Sequence, residues 1–314
     1  MLEWVVERGI GETRAALLDG ERIVESRVLI DGVVPAGSVV PARLADVGNG
    51  GRNALAALED DSEVLLPRRP SGLTQGQRIH VEITREAIPG PEPWKRPLGQ
   101  ATDEPLHISA VAGRAASRGE LDAAGWADLL DEAASGDIAF AGGSLRLFVT
   151  PAMTLFDVDG WLAPAELAIA GARAAAEAAR RLGVGGSIGI DLPTAGSKAA
   201  RAAAAEAIDH ALAGTPFERT AVNGFGFVQI VRPRRHASLP ELYAGDRAAA
   251  EARALLRRAE HHVGAACLAA APAVIAVLER RPEWLQELGR RIGGAVTLRA
   301  DPRLAMSAGH AEPV

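Results

Sequence analysis

The sequence predicts an α+β protein made of several small subdomains, and three observations support this prediction. Short apolar runs separated by glycine-rich turns fill the first 86 residues, which is typical of antiparallel strands. Between about 140 and 238, two apolar strands flank an alanine-rich stretch whose apolar residues have helical spacing. From about 246 the pattern is mostly helical, with one further apolar strand at 295–299 and a frayed tail after Pro302.

The first 31 residues predict antiparallel strands. Apolar runs at 3–7 and 13–18 flank a Gly-Ile-Gly turn, and Asp19-Gly20 is a strong hairpin signal before the run at 22–30. Further short strands, at 38–44, 53–57, 63–66 and 78–84, predict a small barrel such as an OB-fold. The proline-rich stretch 89–97 is predicted to be a linker or a surface loop, because prolines remove backbone donors and fix φ.

The middle of the chain alternates between helix and strand signals. A helix is predicted at 122–134, followed by strands at 145–150 and up to Asp159. Pro164 at a helix start and Gly183 after its end predict a capped helix over 164–182. A strand at 186–192, a helix at 198–212 and a strand at 224–232 complete this part of the prediction.

Three aspartates stand where two of these apolar strands end. Asp157 and Asp159 are two residues apart on one strand and therefore share a face, and Asp191 ends the other strand. If the two strands pair side by side, three carboxylates converge on a site suited to a hard divalent cation such as Mg²⁺, the usual partner in phosphodiester hydrolysis. A turn or a helix cap is the alternative explanation for an Asp-x-Asp sequence at a strand end.

Composition excludes several classes of protein. The 314 residues carry a net charge of −6, so any nucleic acid must bind to local basic patches. The single cysteine, Cys267, excludes an intrachain disulfide and a cysteine-only metal cage, and its alanine-rich surroundings predict a helix core. Without an apolar run of eighteen residues, the sequence predicts no membrane span and a cytoplasmic protein.

Three ordered motifs resemble those of the ribonuclease E/G family of bacterial endoribonucleases. The segment Val149-Thr-Pro-Ala-Met-Thr-Leu-Phe-Asp157-Val-Asp159 is similar to the family's Glu-Pro-Thr-x-Ala-Leu-Thr-x-Ile-Asp-Val-Asn. Gly185-Gly-Ser-Ile-Gly-Ile-Asp191-Leu192 is similar to Gly-Gly-x-Ile-Val-Ile-Asp-Phe. Gly224-Phe-Gly-Phe-Val-Gln-Ile-Val-Arg-Pro-Arg234 is similar to Arg-Phe-Gly-Leu-Val-Glu-x-Ser-Arg-x-Arg. Residues 45–55 and 296–302 resemble further segments of the family, in its barrel and its closing strand.

The resemblance implies a fold and a domain plan. A ribonuclease-H-like element split between 1–32 and 103–139 would surround an OB-type RNA-binding barrel at 33–88. A deoxyribonuclease-I-like mixed α/β catalytic core would follow at 140–238, and a small C-terminal α/β subdomain at 239–314. In this plan Asp157 and Asp191 are Mg²⁺ ligands, and Asp159 is an auxiliary ligand at the family's asparagine position.

Three features depart from the family pattern. Few residues remain between barrel and core for the subdomain that senses a 5′-monophosphate, the Cys-Pro-x-Cys zinc link is missing, and Leu55 stands where the barrel's stacking phenylalanine is expected. The resemblance therefore implies indifference to the 5′ end and, if the protein dimerises, a homodimer without a zinc link.

Several basic residues are candidates for RNA binding. The densest cluster is Arg232, Arg234 and Arg235, since guanidinium groups suit bidentate phosphate contacts. Trp94, Lys95 and Arg96 combine an aromatic ring with two cations on the proline-rich stretch, and Lys198 and Arg201 open the helix after Asp191. A solvated strand end and a tryptophan packed on its own domain are the alternatives for the first two groups.

The sequence as a whole predicts a Mg²⁺-dependent endoribonuclease that cuts single-stranded RNA in RNA processing or decay. A catalytically impaired RNA-binding relative of the same family is the alternative, and a purely structural protein is a third possibility.

Overall fold

A computed structural model describes residues 2–47, 53–90 and 95–314 of the chain. The protein is α+β, as predicted, and the described strands form three open sheets and one closed barrel of five strands. No helix within the described ranges is both long enough and apolar enough to cross a membrane.

The chain begins with three antiparallel strands. They are β1 (Leu2–Arg8), β2 (Glu12–Asp19) and β3 (Arg22–Ile30). The predicted Asp19-Gly20 hairpin joins β2 to β3, and Gly20 has a φ of 62°, the left-handed conformation that glycine adopts without steric cost. Alternate residues of this sheet, among them Val5, Ala16 and Val28, are buried against the rest of the protein.

A small barrel follows. Its strands are β4 (Val39–Asp46), β5 (Ala54–Ala57), β6 (Glu63–Leu66), β7 (Arg78–Arg85) and β8 (Leu98–Thr102). Their order in the barrel is β4-β5-β6-β8-β7, closed by the β4–β7 pair. The sequence predicted no strand here, because β8 lies beyond the expected barrel range 33–88 and directly after the stretch 89–97 that was interpreted as a linker or surface loop. Gly99 lets this strand approach closely, since a Cβ there would lie 2.5 Å from Val81 Cγ1.

After the barrel the chain returns to the first sheet. The short strand β9 (Arg114–Ala115) pairs in parallel with β1. Helices α1 (Glu120–Ala123) and α2 (Trp126–Ser135) follow. They replace the single helix predicted at 122–134, and they meet at Gly125, whose φ of 89° is incompatible with a continuous helix.

The second sheet has six strands. In chain order its elements are β10 (Asp137–Phe140), β11 (Gly143–Val149), β12 (Thr154–Gly160), α3 (Pro164–Arg181), β13 (Gly186–Asp191), α4 (Lys198–Ala211), β14 (Glu218–Arg219) and β15 (Phe227–Arg232). The strand order is β10-β11-β12-β13-β15-β14, in which β12 and β13 are parallel and connected through α3. Helix α3 packs on β11 and β12, and α4 packs beside α3, so the helices cover one face of the sheet.

The C-terminal part is a three-stranded sheet with helices. Its elements are α5 (Leu239–Gly245), α6 (Arg247–Ala259), β16 (Ala266–Ala270), α7 (Pro272–Glu279), α8 (Pro282–Ile292), β17 (Val296–Ala300), a short 3-10 helix (Met306–Ala308) and β18 (His310–Pro313). Two predictions were wrong here. Cys267 lies on the central strand β16 and not on a helix, and the tail after Pro302 forms β18 against β16 and is not frayed.

Three hydrophobic cores hold these parts together. The largest includes residues of the first sheet, α2, the six-stranded sheet, α3, α4 and α5, so the ranges 1–32, 103–139 and 140–238 share one core. Leu239 and Tyr243 of α5 also belong to it, although the sequence assigned them to the C-terminal subdomain. The barrel and the part from α6 onward each have a core of their own.

Candidate functional site

Three aspartates meet at one edge of the six-stranded sheet, where β12 and β13 end. The parallel register pairs Asp157 directly with Asp191, and Asp159 lies two residues further along β12 on the same face. The sequence prediction that the two aspartate-bearing strands pair side by side is therefore confirmed. We call this group of three residues the carboxylate edge.

The alternation of buried and exposed residues fixes the orientation of these side chains. Phe156 and Val158 of β12 are buried, as are Ile188 and Ile190 of β13, on the face that the helices cover. Helix α3 packs tightly on this face, since a Cβ at Gly171 would lie 2.3 Å from Val158 Cγ1. The intervening aspartates therefore lie on the open face, with Asp157 half-buried and Asp159 and Asp191 exposed.

The carboxylate edge carries uncompensated negative charge. Partial burial raises the pKa of Asp157, and the charges of Asp159 and Asp191 raise this pKa further. Arg146 lies opposite Asp157 on β11 and lowers the pKa, but the net shift is upward. The Arg146 side chain is 62% exposed and also forms an ion pair with Asp137 at 3.0 Å, so it balances only part of the negative charge of the three aspartates.

The donor set suits a hard cation bound through few protein ligands. In the described part of the chain, no three His, Cys, Asp or Glu side chains form a group that could hold a metal ion. Mg²⁺ is usually held by one or two carboxylates, with waters and substrate phosphates as its other ligands. Asp157 and Asp191 could provide those carboxylates, and a cation there would reduce the repulsion that raises the pKa of Asp157.

Two exposed aromatic residues flank the carboxylate edge, and the sequence analysis missed both. Trp161 follows β12 directly and is 79% exposed, and Phe225, just before β15, is 86% exposed. The sequence contains a signal for both positions. Trp161 is two residues after Asp159, so the alternation along the strand predicts it on the same face as Asp157 and Asp159. Phe225 lies between two glycines, so neither neighbour in the sequence has a side chain that could cover its ring.

Of the predicted basic residues, Lys198 and Arg201 lie on the side of the sheet where β13 ends. Ser197 caps helix α4 by accepting a hydrogen bond from the Ala200 N–H at 3.0 Å. Lys198 is exposed at this helix start. Arg201 is half-buried and donates to the Ala195 carbonyl at 3.2 Å, so it supports the loop that leads from Asp191 into the helix.

The arginine cluster lies at the opposite end of the sheet. Because β15 runs antiparallel to β13, Phe227 pairs with Asp191 and Arg232 pairs with Gly186. Five residue steps separate these pairs, which corresponds to about 17 Å. Arg232 therefore lies at the other end of the sheet from the carboxylates, and RNA binding by this cluster stays a prediction.

Two of the three arginines are bound within the fold. Arg232 donates to the carbonyls of Ala179 at 3.1 Å and Val184 at 2.9 Å, which satisfies the end of helix α3, and burial lowers its pKa. Arg234 forms an ion pair with Glu241. Arg235 is exposed and remains accessible to an anion.

The third predicted group lies beside the barrel. Trp94 falls outside the described residues. The Lys95 carbonyl accepts a hydrogen bond from the Ile88 N–H at 3.1 Å, and Arg96 pairs with Glu63 at 2.7 Å. Arg96 is thus part of an ion pair on the barrel surface, and its predicted contact with RNA stays a prediction.

The carboxylate edge is an open surface, and a large cavity lies elsewhere. That cavity, of about 970 Å³, lies between the first sheet and helices α6, α7 and α8, and its lining includes Arg8, Trp284 and Arg291. Arg291 there is bound to Glu260 and Glu287. Chemistry at the carboxylates would therefore act on an extended ligand laid across the sheet edge.

No protein-family model matches this chain, and no curated protein matches it in sequence.

Proposed function

We propose that this protein is a Mg²⁺-dependent endoribonuclease that hydrolyses phosphodiester bonds in single-stranded RNA. The observation that supports it best is the direct pairing of Asp157 with Asp191, with Asp159 on the same face and the pKa of Asp157 raised. Uncompensated carboxylates at the end of two strands are the donor set of a divalent cation site. The order of the three sequence motifs supports the choice of RNA as substrate.

The proposal also assigns finer folds to the parts of the chain. The five-stranded barrel would be an OB-type RNA-binding barrel, and the six-stranded sheet with α3 and α4 would be a deoxyribonuclease-I-like core. The first sheet, to which the chain returns after the barrel, would be the split ribonuclease-H-like element.

Each site residue has a role in this proposal. Asp157 and Asp191 would hold the cation, and Asp159 would be an auxiliary ligand. The cation, when bound, activates water and polarises the phosphodiester. Water attacks phosphorus, the bond from phosphorus to the 3′ oxygen breaks, and the departing 3′ oxygen takes up a proton. The products carry a 5′-phosphate and a 3′-hydroxyl. Lys198, exposed at the start of the helix that follows Asp191, would attract the substrate's phosphates.

The experiment is to incubate the protein with a 5′-labelled single-stranded RNA in the presence of Mg²⁺ or EDTA. We expect internal cleavage with Mg²⁺ and none with EDTA, and 5′-phosphate ends on the downstream fragments. Cleavage that persists in EDTA would contradict the role of the carboxylates, because no cation would then be needed.

A catalytically impaired RNA-binding protein is the second candidate. It is favoured by Asp159, which adds a third negative charge where the family has a neutral asparagine, and by the lack of a ready-made group of three ligands among the described residues. RNA that binds to the wild-type protein in Mg²⁺ and is recovered intact would support this candidate over the endoribonuclease.

A further inference from the structure

The exposed aromatic side chains are concentrated on one sheet. Among the described residues, three aromatic rings are exposed, and they belong to Phe148, Trp161 and Phe225. Phe148 is on the open face of the six-stranded sheet, and the other two flank its carboxylate edge. A single exposed ring needs no explanation, but two rings on either side of a charged site point to a ligand with an aromatic part.

The backbone holds Trp161 in a defined position. Its N–H donates to the Gly142 carbonyl at 3.2 Å, which extends the ladder between β11 and β12 by one step beyond the Gly143–Gly160 pair. Residues at even spacing on a strand share a face, so Trp161 lies on the side of Asp157 and Asp159.

Phe225 is held by a tight turn. The Asn223 side-chain carbonyl accepts hydrogen bonds from the Phe225 N–H at 2.9 Å and from the Phe227 N–H at 3.1 Å. Gly226 has a φ of 94°, and a Cβ there would lie 2.1 Å from the Leu192 carbonyl oxygen, so the turn lies against the end of β13. The ring is thus presented by an ordered turn next to Asp191.

We infer that Trp161 and Phe225 are stacking sites for the two bases on either side of the scissile phosphate. This inference rests on the proposed function. Two strand spacings, about 10 Å, separate β12 from β15, so the rings flank the carboxylates across the sheet edge. Stacking on an aromatic ring holds any unpaired base, because every base has a π-face.

Stacking would also let RNA bind next to carboxylates that repel its phosphates. The carboxylate edge repels phosphates when no cation is bound, and the arginine cluster is about 17 Å away along the sheet. Besides the cation and Lys198, affinity at the edge would therefore come from contacts that do not depend on positive charge. Such a site would tolerate many base sequences and would reject duplexes, whose bases already stack on each other.

The experiment compares Trp161→Ala and Phe225→Ala with ring-preserving Trp161→Phe and Phe225→Tyr. Affinity for fluorescein-labelled single-stranded RNA is measured by anisotropy in Mg²⁺, with Asp191→Asn included in every protein to prevent cleavage. Cleavage rates are measured without that substitution. Phe148→Ala is the matched control, since it removes an exposed ring one residue before the end of β11, at the end of the sheet opposite the carboxylate edge.

We expect each alanine variant to bind and cut about tenfold more weakly, the ring-preserving variants to resemble the wild type, and Phe148→Ala to have no effect. With an RNA that has an abasic nucleotide on one side of the cleavage position, one of the two alanine variants should bind as tightly as the wild type, because the base that its ring would stack on is already absent. Normal binding and cutting by both alanine variants would overturn the inference and leave the endoribonuclease intact. Equal losses in the ring-preserving variants would also overturn it. A wild-type protein that neither binds nor cuts RNA would refute the proposed function, and the inference with it.

Discussion

Charged residues are concentrated in two regions of the molecule, the contact between the first sheet and α6, and the carboxylate edge of the six-stranded sheet. Only at the contact with α6 do partners within the chain neutralise these charges. Arg14 is fully buried and donates to Glu7 at 2.7 Å and to Glu12 at 2.8 Å. Arg253 of α6 donates to the other Glu12 oxygen at 3.0 Å, and Arg257 pairs with Asp122. At the carboxylate edge, three aspartates face one partly engaged arginine.

If the proposed function is correct, this difference separates charges that stabilise the fold from charges that bind a ligand. In the buried network, each carboxylate has a guanidinium partner within the chain, and removing one partner leaves the other buried and unpaired. At the carboxylate edge, the proposed function assigns the missing positive charge to a bound cation. The predictions below test both halves of this comparison, beginning with the largest expected effect.

Neutralising the carboxylate edge should abolish cleavage. Asp157→Asn and Asp191→Asn each remove one anionic ligand, which weakens cation binding and leaves the packing of the exposed strand end intact. We expect each to lower the rate of RNA cleavage at least a hundredfold, or about 2.7 kcal/mol, while RNA binding remains. The measurement is a single-turnover cleavage assay in Mg²⁺.

The matched control is Asp128→Asn, which makes the same chemical change at an exposed position on α2. It should cut RNA at the wild-type rate. If Asp157→Asn or Asp191→Asn also cuts at the wild-type rate, the carboxylate edge is not the catalytic site.

Breaking the buried network should instead cost stability. Glu12→Gln removes the negative charge that Arg14 and Arg253 share, so both guanidinium groups lose an ionic partner in a buried site. We expect the free energy of unfolding to fall by about 3 kcal/mol, measured by chemical denaturation. The control Glu3→Gln weakens an exposed pair with Arg114 and should cost less than about 1 kcal/mol. Similar losses in the two variants would remove the distinction between buried and exposed pairs.

Arg232 and Arg235 should behave differently although both belong to the predicted arginine cluster. Arg232→Ala removes the side-chain donor to the Val184 carbonyl and one of the two donors to the Ala179 carbonyl, which keeps the Val184 N–H at 2.8 Å, so we expect a loss of about 1–3 kcal/mol in stability. Arg235 is exposed, and its replacement by alanine should leave the unfolding midpoint almost unchanged.

The salt dependence of RNA binding tests whether the exposed Arg235 contacts RNA. If Arg235 contacts a phosphate, Arg235→Ala should reduce the slope of log affinity against log salt by about 0.7. An unchanged slope would assign Arg235 to the solvated surface.

The burial of Asp157 and the repulsion from its neighbouring aspartates should be visible in the pH dependence of stability. Because the folded protein raises the pKa of Asp157, ionisation of this group disfavours the folded state. The penalty is absent below the unfolded pKa, grows as the pH rises from there, and is complete above the folded pKa. Without Mg²⁺, Asp157→Asn should therefore melt about 1–2 °C higher than the wild type at pH 7, with no difference near pH 3.

Mg²⁺ should reverse this order by raising the melting temperature of the wild type and not that of the variant. If the wild type and Asp157→Asn respond equally to Mg²⁺ in differential scanning fluorimetry, the cation binds elsewhere.

The smallest expected effect concerns the 5′ end of the RNA. The barrel strand β8 occupies residues 98–102, which leaves even fewer residues between barrel and core for a 5′-monophosphate sensor than the sequence indicated. Matched RNAs with 5′-hydroxyl and 5′-monophosphate ends should be cut at rates that differ less than twofold. A tenfold preference for the monophosphate, about 1.4 kcal/mol, would reveal a sensor formed by other residues.

The sequence predicted the central strands of the site but not the direction of their neighbours. β12 and β13 were recognisable because apolar residues lead up to aspartates at their ends. The position of the arginine cluster relative to the aspartates stayed open, because nothing local shows that β15 runs antiparallel to β13, which takes Arg232 away from Asp191. β16 was taken for a helix because its residues are Ala-Cys-Leu-Ala-Ala, and alanine favours helices until packing between two strands outweighs that preference.

The route of the chain through the first sheet has a consequence for how the protein could change over evolution. The whole barrel is inserted between β3 and β9, and both connections lead back to one sheet, since β9 pairs with β1 and β3 pairs with β2. Its core is separate from the main core. The barrel could therefore be lengthened, shortened or exchanged for another module with little change to the sheet that carries it, in the way that domain insertions are accommodated elsewhere.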